Sequence, residues 1–426
     1  MILESKSANN DVLGEAIWAN SPSSSIDKKG QIAPDSNSML DSKRFATQNT
    51  PMSKTLTGLD ILVNEGFKRL SGLKIGLLAH PASVDSQLIH ILTRCLEHNI
   101  AVKRLFGPEH GFWGNAQYME SVSDSVDPKT KIPITSLYGQ SRNSLVLDPK
   151  KLADLDVLVC DLQDIGSRYY TFAYTIAFAL KACAQAGVKC LLIDRPNPLG
   201  GIQKEGNLVH PAFFSFVGEY PIQNRHGMTL GELALFFKQH DNLDCDLEII
   251  ASSNWSREHY FDQTGLPWVL ASPNMPTPDT ALVYPGSCLF EGTNLSEGRG
   301  TTKPFELIGA AYIKDPNKFV ELAESCDLPG AKLRPCWFKP LWDKHANKLC
   351  GGLQIHVTDR KQFLSLKTGM AILWAAKQFD GFDWRRKTYE FVSDRLAIDL
   401  LFGTDQPRKI LDSGTHFDTF FKKFSI

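Results

Sequence analysis

The sequence predicts an α/β chain: a parallel sheet with helices on both faces, followed by a smaller α+β domain. Three observations carry this. From Lys74 onward, apolar β-branched runs alternate with helix-period segments, the signature of βαβ units. A Pro/Gly-rich passage, SPNMPTPDTALVYPGSCLFEGTNLSEGRG, then breaks the rhythm, and the remaining third mixes helical patterns with one clear strand. At 426 residues, with 42% hydrophobic and 22% charged content, the chain can bury a large core, and its length favours two packed domains over one.

Residues 1–53 are rich in Ser, Asn, Asp and Lys and have few periodic apolar positions, so they are expected to form a disordered extension that cannot offset its own ordering entropy. Met52 immediately precedes the first globular stretch, SKTLTGLDILV. The extension is therefore also readable as a product of start-site choice, which the mass of the native protein tests. KIGLLAH reads as a strand, QLIHILTRCLEHN as a helix and AVKRLFG as the next strand. LDVLVCDLQD is a buried strand, YTFAYTIAFALKACAQAG an amphipathic helix ending at Gly187, VKCLLID a further strand and LEIIAS another. HGMTLGELALFFKQH carries a capping box, Thr229 with Glu232 three residues on, so a helix is expected from Leu230 and Glu232 is assigned to capping. The Pro/Gly-rich passage is too long for an ordinary connection and reads as a functional crossover between two domains. Beyond it, PNKFVELAES and SLKTGMAILWAAKQF read as helices and GGLQIHVTD as a strand.

A formal net charge of −1 gives no electrostatic reason to seek nucleic acid or an anionic membrane surface. Nine cysteines lie scattered without a C-x-x-C pair or zinc spacing. Several sit in apolar runs as small core residues, which points to a reducing compartment. The N-terminus lacks the basic start and apolar run of a secretory signal, and no segment is long and apolar enough to span a bilayer. A cytoplasmic location is the expectation.

In open parallel sheets, ligands bind beyond the carboxyl ends of the strands. That rule selects His80, Glu109, His110, Asp161, Gln163, Asp164, Asp194, Arg195 and Asn197. Glu109 follows an apolar strand and Gly107-Pro108 on a tight turn that would desolvate its carboxyl, the circumstance that lifts an acid toward the working range of a general acid. The competing reading is a cap on a helix starting at His110 or Gly111. Asp161 and Asp164 are catalytic candidates, but either is also placed to pair with Arg168. Arg195 suits bidentate carboxylate binding or a loop-tying role, and Asn197-Pro198 is first a turn signal. The crossover adds Asn274, Glu291, Asn294, Glu297 and Arg299, a set suited to sugar hydroxyls and acetamido groups and also ordinary in a polar loop. Trp113, Tyr169, Tyr170, Trp255 and Trp268 are stacking candidates, each equally at home in packing. His80, His110 and His226 show no metal-ligand spacing, and nucleophile-elbow, zincin, phosphate-loop and dinucleotide motifs are absent. Neither a metal nor a cofactor is expected.

Taken in order, LFGPEHGFWG, SLYG, DLQDIGSRYYT, DRPNPLGG, KEGNLV, SFVGEYPIQNRHGMTLGEL, FDQTGLPWVLASPNMPT, YPGSCLFEGTNLSEGRGTTKPFE and CGGLQIHVTDR resemble the exo-β-N-acetylmuramidase family, the NamZ-type peptidoglycan hexosaminidases, over roughly residues 55–426. The resemblance implies a Rossmann-like domain, here residues 54–275, joined to a smaller domain, residues 276–426, with the active site in the cleft between them. It implies hydrolysis of terminal non-reducing β-1,4-linked N-acetylmuramic acid in peptidoglycan-derived MurNAc-GlcNAc fragments, without a cofactor, and it puts the family's proposed catalytic glutamate at Glu109. With no export signal, the expected setting is recycling of imported fragments.

Asp161, Asp164 and Glu291 are the candidates for a second carboxylate. The expected substrate-binding set is His80, His110, Arg168, Tyr169, Arg195, Asn197, His226, Asn274, Glu291, Asn294 and Arg299, with Arg195 or Arg299 meeting the lactyl anion. Trp113 stands where the family often carries a basic residue, so stacking is expected there instead of an anion contact. A non-catalytic sugar-binding protein and a hydrolase of muropeptide amide or ester bonds are the competing functions.

Overall fold

The computed structural model describes residues 54–422; the N-terminal segment expected to be disordered lies outside them. The first half builds a seven-stranded sheet in the order β3-β4-β2-β1-β5-β6-β7. Its strands are β1 (Lys74–Ala79), β2 (Ala101–Gly107), β3 (Ser125–Val126), β4 (Pro133–Ser136), β5 (Val157–Asp161), β6 (Lys189–Ile193) and β7 (Leu247–Ile250). All neighbours run parallel except the short edge pair β3–β4. The chain grows outward from β1 through β2 to β4, then returns to place β5 on the other side of β1. The topological switch therefore falls between β1 and β5.

Helices α1 (Gly58–Asn64) and α2 (Ile91–Glu97) cover one face of the sheet, and α3 (Phe172–Ala186) and α4 (Leu230–His240) the other. The period of two along a strand explains how one run serves both faces. In β5, Val157 and Val159 pack with Leu59, Leu62 and Ile91, while Leu158 and Cys160 join the cluster containing Ile176 and Phe237. A near-continuous apolar run is what a doubly covered strand requires. The α4 start is as expected, with Thr229 and Glu232 closing a reciprocal capping box, and α3 ends at Gly187 with φ 65°. That helix is buried nearly all round instead of amphipathic, because the second half of the chain packs on its outer face.

The Pro/Gly-rich passage is more ordered than its composition suggests. It contains α5 (Pro278–Ser287), started by Thr277 as cap and Pro278 at the first turn, followed by a short 3-10 segment, Cys288–Gly292. The second half builds an antiparallel sheet in the order β8-β10-β9, from β8 (Leu307–Ala310), β9 (Ala331–Phe338) and β10 (Cys350–Val357). Around it lie α6 (Pro316–Glu324), α7 (Ser365–Ala376) and α8 (Ala397–Phe402). Sequence reading found only β10. Pro335 obscured β9, yet β9 is an edge strand, where a residue without an N–H is tolerated. One apolar cluster runs from the sheet through α3 and α5 to the antiparallel sheet, so the two halves share a core.

Among the described residues no helix is long and apolar enough to cross a membrane. All nine cysteines are free thiols.

Candidate active site

At the carboxyl end of β2, residues from both halves enclose a pocket of about 500 Å³, partly open to solvent. Glu109 and His110 contribute from the turn after β2, Tyr169–Phe172 from the start of α3, and Ser272, Asn274, Tyr284, Glu291, Arg299, Phe305, Tyr389 and Glu390 from the second half and the passage leading to it.

The turn is built to present Glu109. Gly107 ends β2 where a Cβ would strike the backbone of Phe112, and the chain reverses through His110 and Gly111, both in the left-handed region at φ 71° and 83°. The Gly111 N–H closes the turn onto the Pro108 carbonyl at 2.9 Å. No helix begins at His110 or Gly111, so Glu109 caps nothing. Its carboxyl, 7% exposed, accepts a 2.6 Å hydrogen bond on Oε2 from Thr171 Oγ1 at the entry to α3. His110 Nδ1 lies 3.0 Å from the Ala116 carbonyl, which fixes that nitrogen as the donor. Burial holds the imidazole below its usual pKa despite the charge of Glu109 beside it.

The opposite wall is a charged network. Arg299 donates from a terminal nitrogen to Glu291 at 2.6 Å and from Nε to Glu297 at 3.0 Å, and Lys344 reaches Glu297 at 2.7 Å. Burial pushes the Glu297 carboxyl up, but Lys344 and Arg299 outweigh it and hold it below the usual range. The Arg299 guanidinium lies 4.1 Å from the centroid of the Tyr118 ring. Tyr389 Oη donates to Glu291 at 2.7 Å, and Tyr138 Oη donates to Glu390 at 3.0 Å. Arg385 is half-buried against Tyr118 and Tyr389. It donates to Tyr118 Oη at 2.7 Å and has no carboxylate within ion-pair distance among the described residues.

Of the residues selected from sequence, Glu109, His110, Tyr169, Asn274, Glu291 and Arg299 line this pocket. The others are placed elsewhere. Asp161 is gripped bidentately by Arg195 at 2.5 and 2.8 Å, both side chains buried. The arginine partner foreseen for that strand end was Arg168. Arg168 instead donates to the carbonyls of Asn207, Ile222 and Leu401, tying two loops of the first half to α8 of the second. Asp164 accepts from the Gly166 N–H at 2.7 Å, with His226 Nε2 3.5 Å away. His80 Nε2 accepts from the Gln163 N–H at 2.9 Å, and Asn197 accepts from the Leu199 N–H of its own turn while donating to the Met228 carbonyl just before α4. Asn294 bonds the Gly381 carbonyl and Tyr312. Arg195 does line a second cavity of about 340 Å³, with Thr57, Gln163 and Trp268.

Of the aromatic candidates, Tyr169 and Tyr170 line the main pocket. Trp113 bonds Asp127 and packs beside His90, so neither an anion contact nor stacking in the pocket comes from it. Trp255 bonds the His259 carbonyl. Sequence reading missed Tyr118, Arg385, Tyr389 and Glu390. The available signal was an acid set between two aromatics, Tyr389-Glu390-Phe391, a pattern suited to a buried carboxyl. Among the described residues no group of three or more His, Cys, Asp or Glu side chains is placed to hold a metal ion.

Comparison with known proteins agrees with this architecture. The profile "Exo-beta-N-acetylmuramidase NamZ, N-terminal" matches residues 75–279 and "Exo-beta-N-acetylmuramidase NamZ, C-terminal" matches residues 282–425. The chain is 41% identical to the peptidoglycan beta-N-acetylmuramidase NamZ of Bacillus subtilis (strain 168) over 378 residues, 88% of this chain and 89% of that protein. It is also similar to crystal structures of two DUF1343 family proteins from Bacteroides fragilis. One is 30% identical with a TM-score of 0.77 and the other 29% identical with a TM-score of 0.67, and each comparison covers 87% of this chain and 94% of that one. Both halves are matched, in order and nearly end to end, and the chain belongs to the NamZ family of exo-β-N-acetylmuramidases.

Proposed function

We propose that this chain is a glycoside hydrolase that releases terminal non-reducing N-acetylmuramic acid from β-1,4-linked peptidoglycan fragments, with Glu109 in the acid/base role. The observation that carries the reading is a buried carboxyl, oriented by Thr171 and free of any ion pair among the described residues, on the wall of a pocket rich in tyrosine. Glycosidic hydrolysis needs a carboxyl that is not neutralised by a fixed cation, together with rings against which a sugar can lie. Tyr118, Tyr169, Tyr170, Tyr284 and Tyr389 supply the rings.

The substrate's lactyl group is an anion. Arg299 is already shared by two carboxylates, whereas Arg385 carries none. Arg385 is the better assignment for the lactyl carboxylate, and Arg299 then orders the wall. The cellular setting in this reading is the cytoplasm and the recycling of imported fragments, supported by nine free thiols.

The test is incubation with a defined N-acetylmuramyl-β-1,4-N-acetylglucosamine disaccharide and a peptide-bearing counterpart, with products identified by mass spectrometry. Free N-acetylmuramic acid and N-acetylglucosamine are expected. Release of peptide with the glycosidic bond intact would replace the reading by an amide hydrolase, and tight binding without any cleavage by a sugar-binding protein.

A further inference from the structure

Four glutamates line or support the pocket, and they divide into two kinds. Glu291 and Glu297 are neutralised by Arg299, with Lys344 also on Glu297. Glu109 and Glu390 have no cation within ion-pair distance among the described residues. Asp161 and Asp164, the second carboxylates considered from sequence, are held by Arg195 and by the Gly166 N–H, and neither lines the pocket.

Glu390 is also held in an unusual way. It sits in a tight turn whose ends exchange hydrogen bonds, Tyr389 N–H to the Val392 carbonyl at 3.0 Å and the reverse at 2.9 Å. Both central residues are non-glycine in the left-handed region, Glu390 at φ 44° and Phe391 at φ 67°. Such conformations persist where the surroundings over-determine them, and they cluster at functional sites. The surroundings here are contributed by both halves of the chain. Tyr138, from the loop after β4, bonds the Glu390 carboxyl, and its ring packs 5.6 Å from that of Phe391. The side chain is 3% exposed and on the pocket wall.

We infer that Glu390 is the second carboxyl of the hydrolytic site and the group that protonates the leaving oxygen, which leaves Glu109, in the same pocket, the basic part of its acid/base role. The inference rests on the proposed glycosidase reading. The groups facing Glu390 are Glu109 from the turn after β2, Glu291 from the 3-10 segment after α5, Tyr138, and Arg385, with Tyr118 and Tyr389 close by. Burial first, and then the charge of Glu109, push the Glu390 carboxyl well above its usual range; Glu291 adds to this, while the Tyr138 bond and Arg385 oppose it. A buried carboxyl held in its protonated form on the pocket wall, with a second carboxyl in the same pocket, is what a general acid requires. In the step, the Glu390 O–H bond breaks and its proton passes to the glycosidic oxygen as the C1–O bond breaks, the bonding pair leaving with that oxygen. Over the full turnover one water supplies the hydroxyl at C1, and its remaining proton returns to the carboxyl pair.

Leaving-group dependence tests this. The Glu390→Gln variant is assayed on the N-acetylmuramyl disaccharide, whose alkoxide must be protonated, and on the dinitrophenyl β-glycoside of N-acetylmuramic acid, whose phenolate departs unaided. The expected result is a loss of about 10²–10⁴-fold in kcat on the disaccharide and less than about tenfold on the aryl glycoside. Equal losses on both, or none on either, would overturn the assignment. Tyr138→Phe leaves Glu390 in place but removes a bond that lowers its pKa, so the alkaline limb of kcat/KM on the disaccharide moves to higher pH; an unmoved limb counts against the role. Wild-type protein inert toward both substrates would instead overturn the proposed reaction itself.

Discussion

Replacing Asp161 by Asn should cost stability and spare activity. Asp161 and Arg195 form a two-point ion pair at 2.5 and 2.8 Å with side-chain exposures of 0% and 5%. Removing the carboxylate charge strands a largely buried guanidinium without its counter-ion, which costs about 3–5 kcal/mol. For a unit of about 370 described residues the unfolding entropy is about 0.8 kcal/mol/K, so the midpoint should fall by about 4–6 °C. Replacing both partners by apolar residues of similar size, Asp161→Leu with Arg195→Met, should recover much of the loss, because neither charge is then left buried alone. The assay is a thermal melt followed by near-ultraviolet circular dichroism, paired with kcat/KM on an N-acetylmuramic acid glycoside at a temperature where every variant is folded. A loss of activity of a hundredfold or more in Asp161→Asn, with the melting midpoint unchanged, would refute the structural assignment and return Asp161 to the catalytic candidates.

Three other perturbations probe the buried histidine, the unpaired arginine and the helix contact. Burial holds His80 well below its ordinary pKa of 6.5, so the unfolded chain gains a proton below about pH 6.5 that the folded chain refuses, and stability falls as pH drops. His80→Gln should flatten the dependence of urea midpoints between about pH 5 and 6 by up to about 1.4 kcal/mol per pH unit, and an unchanged slope would contradict this. Arg385→Met should raise KM for N-acetylmuramic acid glycosides by about 10–150-fold, equivalent to a lost charge-assisted bond of about 1.5–3 kcal/mol, with kcat changed far less; an unchanged KM would move the lactyl contact elsewhere. Gly286 and Gly369 let α5 and α7 touch, and a Cβ at Gly286 would fall on the Ser365 carbonyl. Gly286→Ala should therefore cost about 1–3 kcal/mol by overpacking, read as a shift in urea midpoint without change in slope.

The parallel sheet was legible in the sequence because a doubly covered strand leaves a strong apolar trace, as in LDVLVCD, and because Thr229 and Glu232 mark a helix start chemically. β9 and α5 were not, because Pro335 and Pro285 are local breakers whose tolerance depends on an edge position or on tertiary packing. The candidate site divides along the same line. Glu109 could be selected from a strand end and a tight turn, both local features. Glu390 could not, since its chemistry comes from Tyr138 and Glu109, more than 200 residues away in sequence, and from a turn whose left-handed backbone no glycine announces. The strand-end rule also selected Asp161, Arg195 and His80, but position alone does not reveal that Arg195 and Asp161 spend their charges on each other.

In the proposed function Glu109 serves catalysis of muramic acid release. Its most direct test compares chromophore release from β-glycosides of N-acetylmuramic acid and N-acetylglucosamine by wild type and by Glu109→Gln, which keeps the shape of the side chain and an acceptor for Thr171. Release from the muramic glycoside alone is expected for wild type, with a loss of about 10²–10⁴-fold in the variant and retained binding of free N-acetylmuramic acid. Wild-type activity surviving in Glu109→Gln would contradict that role.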